Sequence, residues 1–321
     1  MTNPASTLST STAPASTLPF ITADEVYSRV SFADAVAAFH RDLRAGLDPA
    51  NDHAKTIVDL AHGQVLMMPT ESSELLGVKV VTVAPANPDK GLERIQGHYL
   101  LFDSATLTPV ALMDGVALTT LRTPALSAAA ADILAPAETP HLLVFGSGPQ
   151  AWGHVEALRA VRTIERVTIV ARNQERAQAL ADQVTASGIP ARVGVAEDVA
   201  DAQLIACATT AREPLFDGSL IQDNACVMAV GSHELDAREL DSALIARSQV
   251  VIEEFGAAMR EGGDVYIPLQ EGVITEDHLI PVKDIVTGAV EVDHSRPRVF
   301  KSSGMPWEDL VVASVAYAAG K

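Results

Sequence analysis

The spacing of apolar residues changes along this chain, and the changes divide it. Near the start, Thr22-Ala23-Asp24-Glu25 and Ser31-Phe32-Ala33-Asp34 have the hydroxyl-x-x-acid form of a helix beginning. The second predicts a helix over 31–46, with Val36, Phe39 and Leu43 on one face and Gly46 at its end. Short strand-like runs follow at 55–60, 64–68, 76–83, 98–103 and 107–113, and a stretch bearing Pro, Asn and Gly at 85–91 separates two of them. Runs this close together predict antiparallel strands with helices on one side. Residues 116–134 read as a long helix, whose alanines at 128–131 let a second backbone approach closely.

After a linker at 136–140 the pattern changes. Continuous apolar runs at 141–145, 167–170, 191–195, 204–208, 226–230 and 250–253 alternate with helix-length segments, one ending near 161 and another over 175–187. Such alternation marks a parallel sheet covered on both faces, and about six strands complete a dinucleotide-binding sheet. Beyond Gly288 the character is mixed again, with a strand at 299–301 and a helix at 308–319 expected to pack back on the N-terminal part. The predicted fold is α/β. A Rossmann dinucleotide-binding domain over 126–304 sits within a non-contiguous α+β domain made of 20–125 and 305–321.

Composition narrows the setting. The 321 residues, 48% of them hydrophobic, suffice for two modest domains with buried cores. A net charge of −18 argues against nucleic acid, which needs clustered cations. No apolar stretch is long and uninterrupted enough to span a bilayer. Cys207 and Cys226 lie in apolar runs and read as buried thiols of a reducing compartment, so the expected location is cytoplasmic. Residues 1–19, rich in Ser, Thr, Ala and Pro, lack the basic start and apolar core of a secretory signal and read as a flexible tail. His98, His154 and His278 have no metal-ligand spacing, and no metal is expected.

The first chemistry-bearing motif follows the run 141–145. Gly146-Ser147-Gly148-Pro149-Gln150-Ala151 fits Gly-x-Gly-x-x-Gly/Ala. The first glycine permits a tight turn, the second lets a pyrophosphate reach the backbone, and Ala151 lets the helix pack on the sheet. The helix start then offers unpaired N–H groups to the phosphates. The next strand ends Val170-Ala171-Arg172-Asn173, without the acid that would bond an NAD ribose. Arg172 therefore favours NADP(H), with NAD(H) as the alternative.

Several separated segments together resemble the ornithine cyclodeaminase/μ-crystallin family. They are Met67-Met68-Pro69, Gly77-Val78-Lys79-Val80-Val81, Leu112-Met113-Asp114-Gly115 and Leu121-Arg122-Thr123, then the glycine loop and Ala229-Val230-Gly231-Ser232 with Arg238-Glu239-Leu240-Asp241. Gly263-Asp264-Val265 and Val299-Phe300-Lys301-Ser302-x-Gly304-Met305-x-x-Glu308-Asp309 complete the series. The resemblance implies a homodimer, a substrate and dimerisation domain that includes the last helix, and a reaction at a carbon bearing nitrogen and a carboxylate.

Arg122 on an otherwise Ala-, Leu- and Thr-rich helix and Lys79 in an apolar run are both charges that need partners. The alternatives are an internal salt bridge for Arg122 and an edge-strand lysine for Lys79. The resemblance makes Lys79 a substrate-facing lysine able to move a proton and Arg122 an arginine contacting substrate and cofactor. It also places Met68 at the substrate, and Lys55 where members usually carry a carboxylate-binding Arg; Lys keeps the charge but loses the fork. His233 stands where ornithine cyclodeaminases carry an Asp for the distal amine. Thr123, Asn173, Ala208, Thr209, Val230, Gly231, Ser232, Ser302 and Gly304 are implied as cofactor contacts. Asp264, Glu308 and Asp309 are expected to be structural, as helix caps.

The function expected is an NAD(P)H-dependent reductase of cyclic ketimine carboxylates, of the pyrroline-2-carboxylate or piperideine-2-carboxylate type, with hydride passing to C=N. The missing Asp weakens an ornithine cyclodeaminase. An amino-acid dehydrogenase such as alanine dehydrogenase remains a second alternative. A non-catalytic ligand-binding protein is disfavoured by the intact Lys79 and Arg122.

Overall fold

The computed structural model describes residues 17–320. Most of the expected tail, 1–16, lies outside the described residues. The Pro19 carbonyl accepts a bond from Leu112 N at 2.9 Å, so the end of the 1–19 stretch is tied down rather than free. Strand β1 (Phe20–Ile21) follows at once. Helices α1 (Ala23–Arg29) and α2 (Phe32–Arg44) both open on capping boxes, Thr22 with Glu25 and Ser31 with Asp34.

Strands β2 (Thr56–Leu60), β3 (Gly63–Glu71), β4 (Leu75–Val83), β5 (Ile95–Asp103) and β6 (Pro109–Asp114) pair antiparallel in sequence order, and β1 adds in parallel beside β6. β6 starts later than the predicted 107 because Leu107, at φ 55°, sits in a turn whose N–H bonds Asp103 O. The two-residue period puts Met68, Thr70, Gly77, Lys79, Tyr99, Leu101 and Met113 on one buried face. Lys79 is thus on an interior strand, and the edge-strand alternative fails.

Asp114 caps α3 (Gly115–Leu134) through Val116 N and Ala117 N. This helix packs on β5 at one end and beneath the second sheet at the other. Its alanine stretch admits close neighbours, as expected: His40 Nε2 lies 2.9 Å from Ala129 O.

The second sheet is wholly parallel. It is built from β7 (His141–Phe145), α4 (Pro149–Arg159), β8 (Arg166–Val170), α5 (Gln174–Ala186), β9 (Ala191–Val193), β10 (Leu204–Cys207) and β11 (Cys226–Ala229). It continues through α6 (Ser242–Arg247), β12 (Gln249–Ile252), α7 (Phe255–Glu261), α8 (Gly263–Gln270), β13 (Leu279–Pro281), α9 (Val282–Val286) and β14 (Arg298–Lys301). The strand order is β13-β12-β14-β11-β10-β7-β8-β9. It therefore has eight strands rather than about six. β14 inserts between β11 and β12, and the three-residue β13 is too short to show a period. The short helices α6 to α9 escaped sequence reading for the same reason.

α4 crosses α3 closely: a Cβ on Gly153 would stand 2.7 Å from Pro124 Cγ. The final helix α10 (Pro306–Ala318) returns to the first sheet, lying against α2, β3 and β4, with Trp307 edge-on to Phe39 at 5.5 Å. The order reverses between β7 and β10, and in such sheets the ligand crevice opens at the carboxyl ends of those strands.

Candidate active site

β7 turns sharply at Gly146, which has φ 115°. A Cβ there would lie 2.5 Å from Ala208 O, so the position requires glycine. Gly148 is the N-cap of α4 without a side-chain cap, and a Cβ on it would meet nothing within 4 Å. Pro149, at the first helical position, has no N–H to satisfy. Ser147 is half-buried beside them, and Gln150 Nε2 ties the loop to Thr119 O at 3.4 Å. An uncapped helix start under open space fits a pyrophosphate. At the end of β8, Arg172 is exposed, with no ion pair among the described residues, while Asn173 caps α5 by accepting from Arg176 N at 2.9 Å.

The loops after β10 and β11 meet at a buried carboxylate. Thr209 N and Oγ1 donate to Glu239 Oε1 at 2.8 and 2.7 Å, and Gly231 N donates to Oε2 at 2.7 Å. Ala208 N and Val230 N bond back to Phe145 O and Cys207 O in ladder fashion. Burial, then repulsion from Asp264, pushes Glu239 up to about 7 against Lys301 and the Thr209 bonds. Ser232 Oγ donates to Ala237 O at 2.5 Å. Beyond β14, Glu253 accepts from Ser302 Oγ and from Gly304 N, at 2.5 and 3.0 Å. Gly304, at φ 85°, presses on Arg122: a Cβ would lie 2.8 Å from both terminal guanidinium nitrogens.

Four charged groups are buried between β4, α3 and α10. Lys79, 2% exposed, donates to Asp309 Oδ1 at 3.0 Å and to Thr119 Oγ1 at 3.2 Å. Arg122 Nε reaches the same Asp309 oxygen at 3.2 Å, and Nη1 donates to Glu308 Oε2 at 2.5 Å. Burial lowers Lys79 to about 8, with Asp309 opposing the shift and Arg122 adding to it. Burial also disfavours the charge on Arg122, but Glu308 and Asp309 outweigh it and leave the guanidinium firmly protonated. Glu308 is held well above the carboxylate range by burial, which the Arg122 charge does not offset, and Glu253 adds to the rise. Glu253 stays below that range despite burial, because Glu308 and Ser302 bond to it.

Glu308 does cap α10, through Met305 N, as expected. Asp309 is instead the shared counter-ion of both cations, and Asp264 accepts from Glu239 N and Leu240 N rather than capping α8. Arg122 thus has the internal salt bridges set out as its alternative, yet it also borders Gly304.

Met68 lies opposite Lys79 in register, as a buried apolar neighbour. Thr123 is buried beside Arg122. Lys55, just before β2, pairs with Glu261 at the end of α7, so this ion pair links the two sheets' structures across the crevice. His233 is exposed, yet crowding by its neighbours and the Lys55 charge lower its pKa. His154 is driven to about 4 by burial and bonds Ser127 Oγ at 3.0 Å, a packing role. Among the described residues, no three His, Cys, Asp or Glu groups gather in a way that could hold a metal. Sequence reasoning missed Glu253 and Glu261 as site groups. Glu253 carried one usable signal, an acid at the carboxyl end of an apolar strand run.

Residues 19–320 match the ornithine cyclodeaminase/mu-crystallin family. The chain belongs to that family. It is 38% identical over 261 residues to a Δ(1)-pyrroline-2-carboxylate reductase of Bacillus cereus, covering 78% of this chain and 80% of the relative. The structure of the Thermococcus litoralis Δ(1)-pyrroline-2-carboxylate reductase in complex with NADH and L-proline superposes with a TM-score of 0.89 at 31% identity, over 94% of this chain and 97% of that one. An archaeal alanine dehydrogenase dimer with bound NAD gives 0.88 at 26% identity, over 94% and 96%. Like these family members, the protein has a nicotinamide-dinucleotide fold, with a Rossmann sheet beside a second sheet.

The shared counter-ion generates a stability prediction. Asp309→Asn leaves two buried cations with one weakened partner, and breaking a buried pair costs roughly 3–5 kcal/mol. Urea unfolding should give an unfolding free energy lower by that amount, seen as a lower midpoint at unchanged slope, and an unchanged midpoint would mean that solvent reaches the cluster.

Proposed function

We propose that this protein reduces cyclic ketimine carboxylates with a reduced nicotinamide dinucleotide. The observation that carries the reading is the buried Lys79–Asp309–Arg122 cluster beside Gly304, at the carboxyl edge of the Rossmann sheet. The 38% identity to a pyrroline-2-carboxylate reductase supports the same substrate class. His233 favours it over ornithine deamination, because an imidazole offers no fixed negative charge to a distal ammonium.

The dinucleotide supplies the hydride; Gly146, Ser147, Gly148, Pro149 and Gln150 would hold its pyrophosphate, and the loops at Thr209, Gly231, Ser232 and Ser302 its other half. Arg122 keeps Nη2 free of the acids that occupy Nε and Nη1, and that nitrogen takes the substrate carboxylate. Lys55 adds a second cation once it leaves Glu261. Lys79 Nζ holds the proton on the imine nitrogen, so the carbon accepts a hydride and the nitrogen ends as an amine. Asp309 orients Lys79 and keeps it charged below about 8. Residues 20–125 and 305–321 form the substrate-side domain around 126–304.

The assay follows NADPH absorbance with pyrroline-2-carboxylate, then with pyruvate plus ammonia, alongside ammonia release from ornithine. A lysine is charged below its pKa, so kcat/KM should be flat below pH 8 and fall about tenfold per unit above it, as Lys79 loses its proton. Proline and ammonia formed from ornithine without net cofactor change would defeat the reading.

The exposed Arg172, with no acid beside it, supports a preference for NADP(H) over NAD(H). Arg172→Asp should raise KM for NADPH by tenfold or more and leave that for NADH within about threefold. Equal KM values for NADPH in the two proteins would end the assignment.

A homodimer is supported by β2, an edge strand exposed along its whole length that displays Ile57, Val58 and Leu60. Such an edge is left open only where something covers it. Val58→Lys should shift the sedimentation mass from two chains to one, and a wild-type monomer would refute the pairing. The two free, buried cysteines fit a reducing cytoplasm.

A further inference from the structure

Glu239 stands outside the reaction described above, yet its two oxygens accept three hydrogen bonds from two different loops beside the crevice. We infer that Glu239 is the positioning residue for the nicotinamide end of the cofactor, fixing the loops after β10 and β11 relative to each other. The inference rests on the dinucleotide reading, but not on the identity of the substrate.

The two loops leave neighbouring parallel strands, whose last ladder bond runs from Val230 N to Cys207 O. Glu239 reaches between them with both oxygens: Oε1 takes Thr209 N and Oγ1, and Oε2 takes Gly231 N. All three partners donate, so the ionised carboxylate is the form that satisfies them. The loops touch behind it, since a Cβ on Gly231 would come within 2.1 Å of Thr209 O and 2.5 Å of Glu239 Oε1. Asp264 then holds the Glu239 backbone, accepting from Glu239 N at 2.6 Å and Leu240 N at 2.9 Å. Lys301, at the end of β14, pairs with Asp264 at 3.0 Å and donates to Ser232 O. Three adjacent strand ends are therefore tied to one buried group of two acids and a lysine.

Two buried acids against one lysine cost stability that apolar packing would not. What the arrangement supplies is the placement of backbone. In a Rossmann sheet the adenosine half lies over the first two strands, here β7 and β8, and the other half over the strands beyond the switch point, here β10 and β11. Glu239 touches only the second set.

That asymmetry makes the test. Binding of NADH and of ADP, which lacks the nicotinamide half, is measured by calorimetry at pH 8, where Glu239 and the ADP phosphates are ionised. Glu239→Gln places an amide N–H against Gly231 N–H, donor facing donor, and releases one loop. NADH affinity should fall tenfold or more while ADP affinity stays within about twofold. Glu239→Asp keeps the charge but is one methylene too short to reach both loops, so it should fall between wild type and Glu239→Gln. It also decides the matter if the amide variant does not fold. Unchanged NADH binding in either variant overturns the inference, and so does an equal loss of NADH and ADP, which would make Glu239 a general prop of the domain. A wild-type protein that binds NADH yet reduces no imine would overturn the substrate reading and leave this inference standing.

Discussion

Lys79 and Arg122 share one aspartate in a place where water does not reach, and the arrangement of both sheets follows from that. At such a depth a lone ammonium would lose its proton, and a lone guanidinium, which cannot, would disrupt its surroundings. Asp309 prevents both, but it belongs to α10, the last helix of the chain, while its partners come from β4 and α3. The substrate-side sheet is therefore incomplete until the C-terminus returns to it. This gives a physical reason for the interrupted order of the chain: the Rossmann unit lies between the cations and the acids that neutralise them.

The same pairing sets what the site can do. Lys79 is shifted to about 8 because burial pulls its pKa down by more than Asp309 draws it back. Arg122 has no such balance, since its two acids hold the charge firmly and leave it a fixed electrostatic anchor. The two cations thus differ in character although their contacts with the same Asp309 oxygen differ by only about 0.2 Å.

Much of this could be read along the chain, and the failures share a cause. The glycine loop, the strand-and-helix alternation and the two misplaced cations all announce themselves locally, through period or through a charge in an apolar run. The counter-ions do not. Asp309 sits in an acidic first turn, which any helix welcomes, so its sequence context suggests a cap. Glu239 and Glu261 look like surface acids until the fold sets 239 against 209 and 261 against 55. A cation in an apolar run shows that a partner exists but not where it is. Likewise β13 has three residues, too few for a period to form.

The Lys55–Glu261 pair carries the argument one step further. One partner stands before β2 and the other ends α7, so the contact joins the first sheet to a helix of the Rossmann unit. In the family pattern an arginine at this point would grip a carboxylate with two parallel bonds. A lysine is a point charge that can exchange one carboxylate for another with little geometric loss. On the proposed function, Glu261 would compete with a substrate carboxylate for Lys55. Binding at Lys55 would be weakened by that competition, and orientation would fall to Arg122. A lysine in place of the usual arginine would then not misplace the imine carbon, because Arg122, the residue proposed to aim the substrate, lies inside α3 and not at the strand entrance.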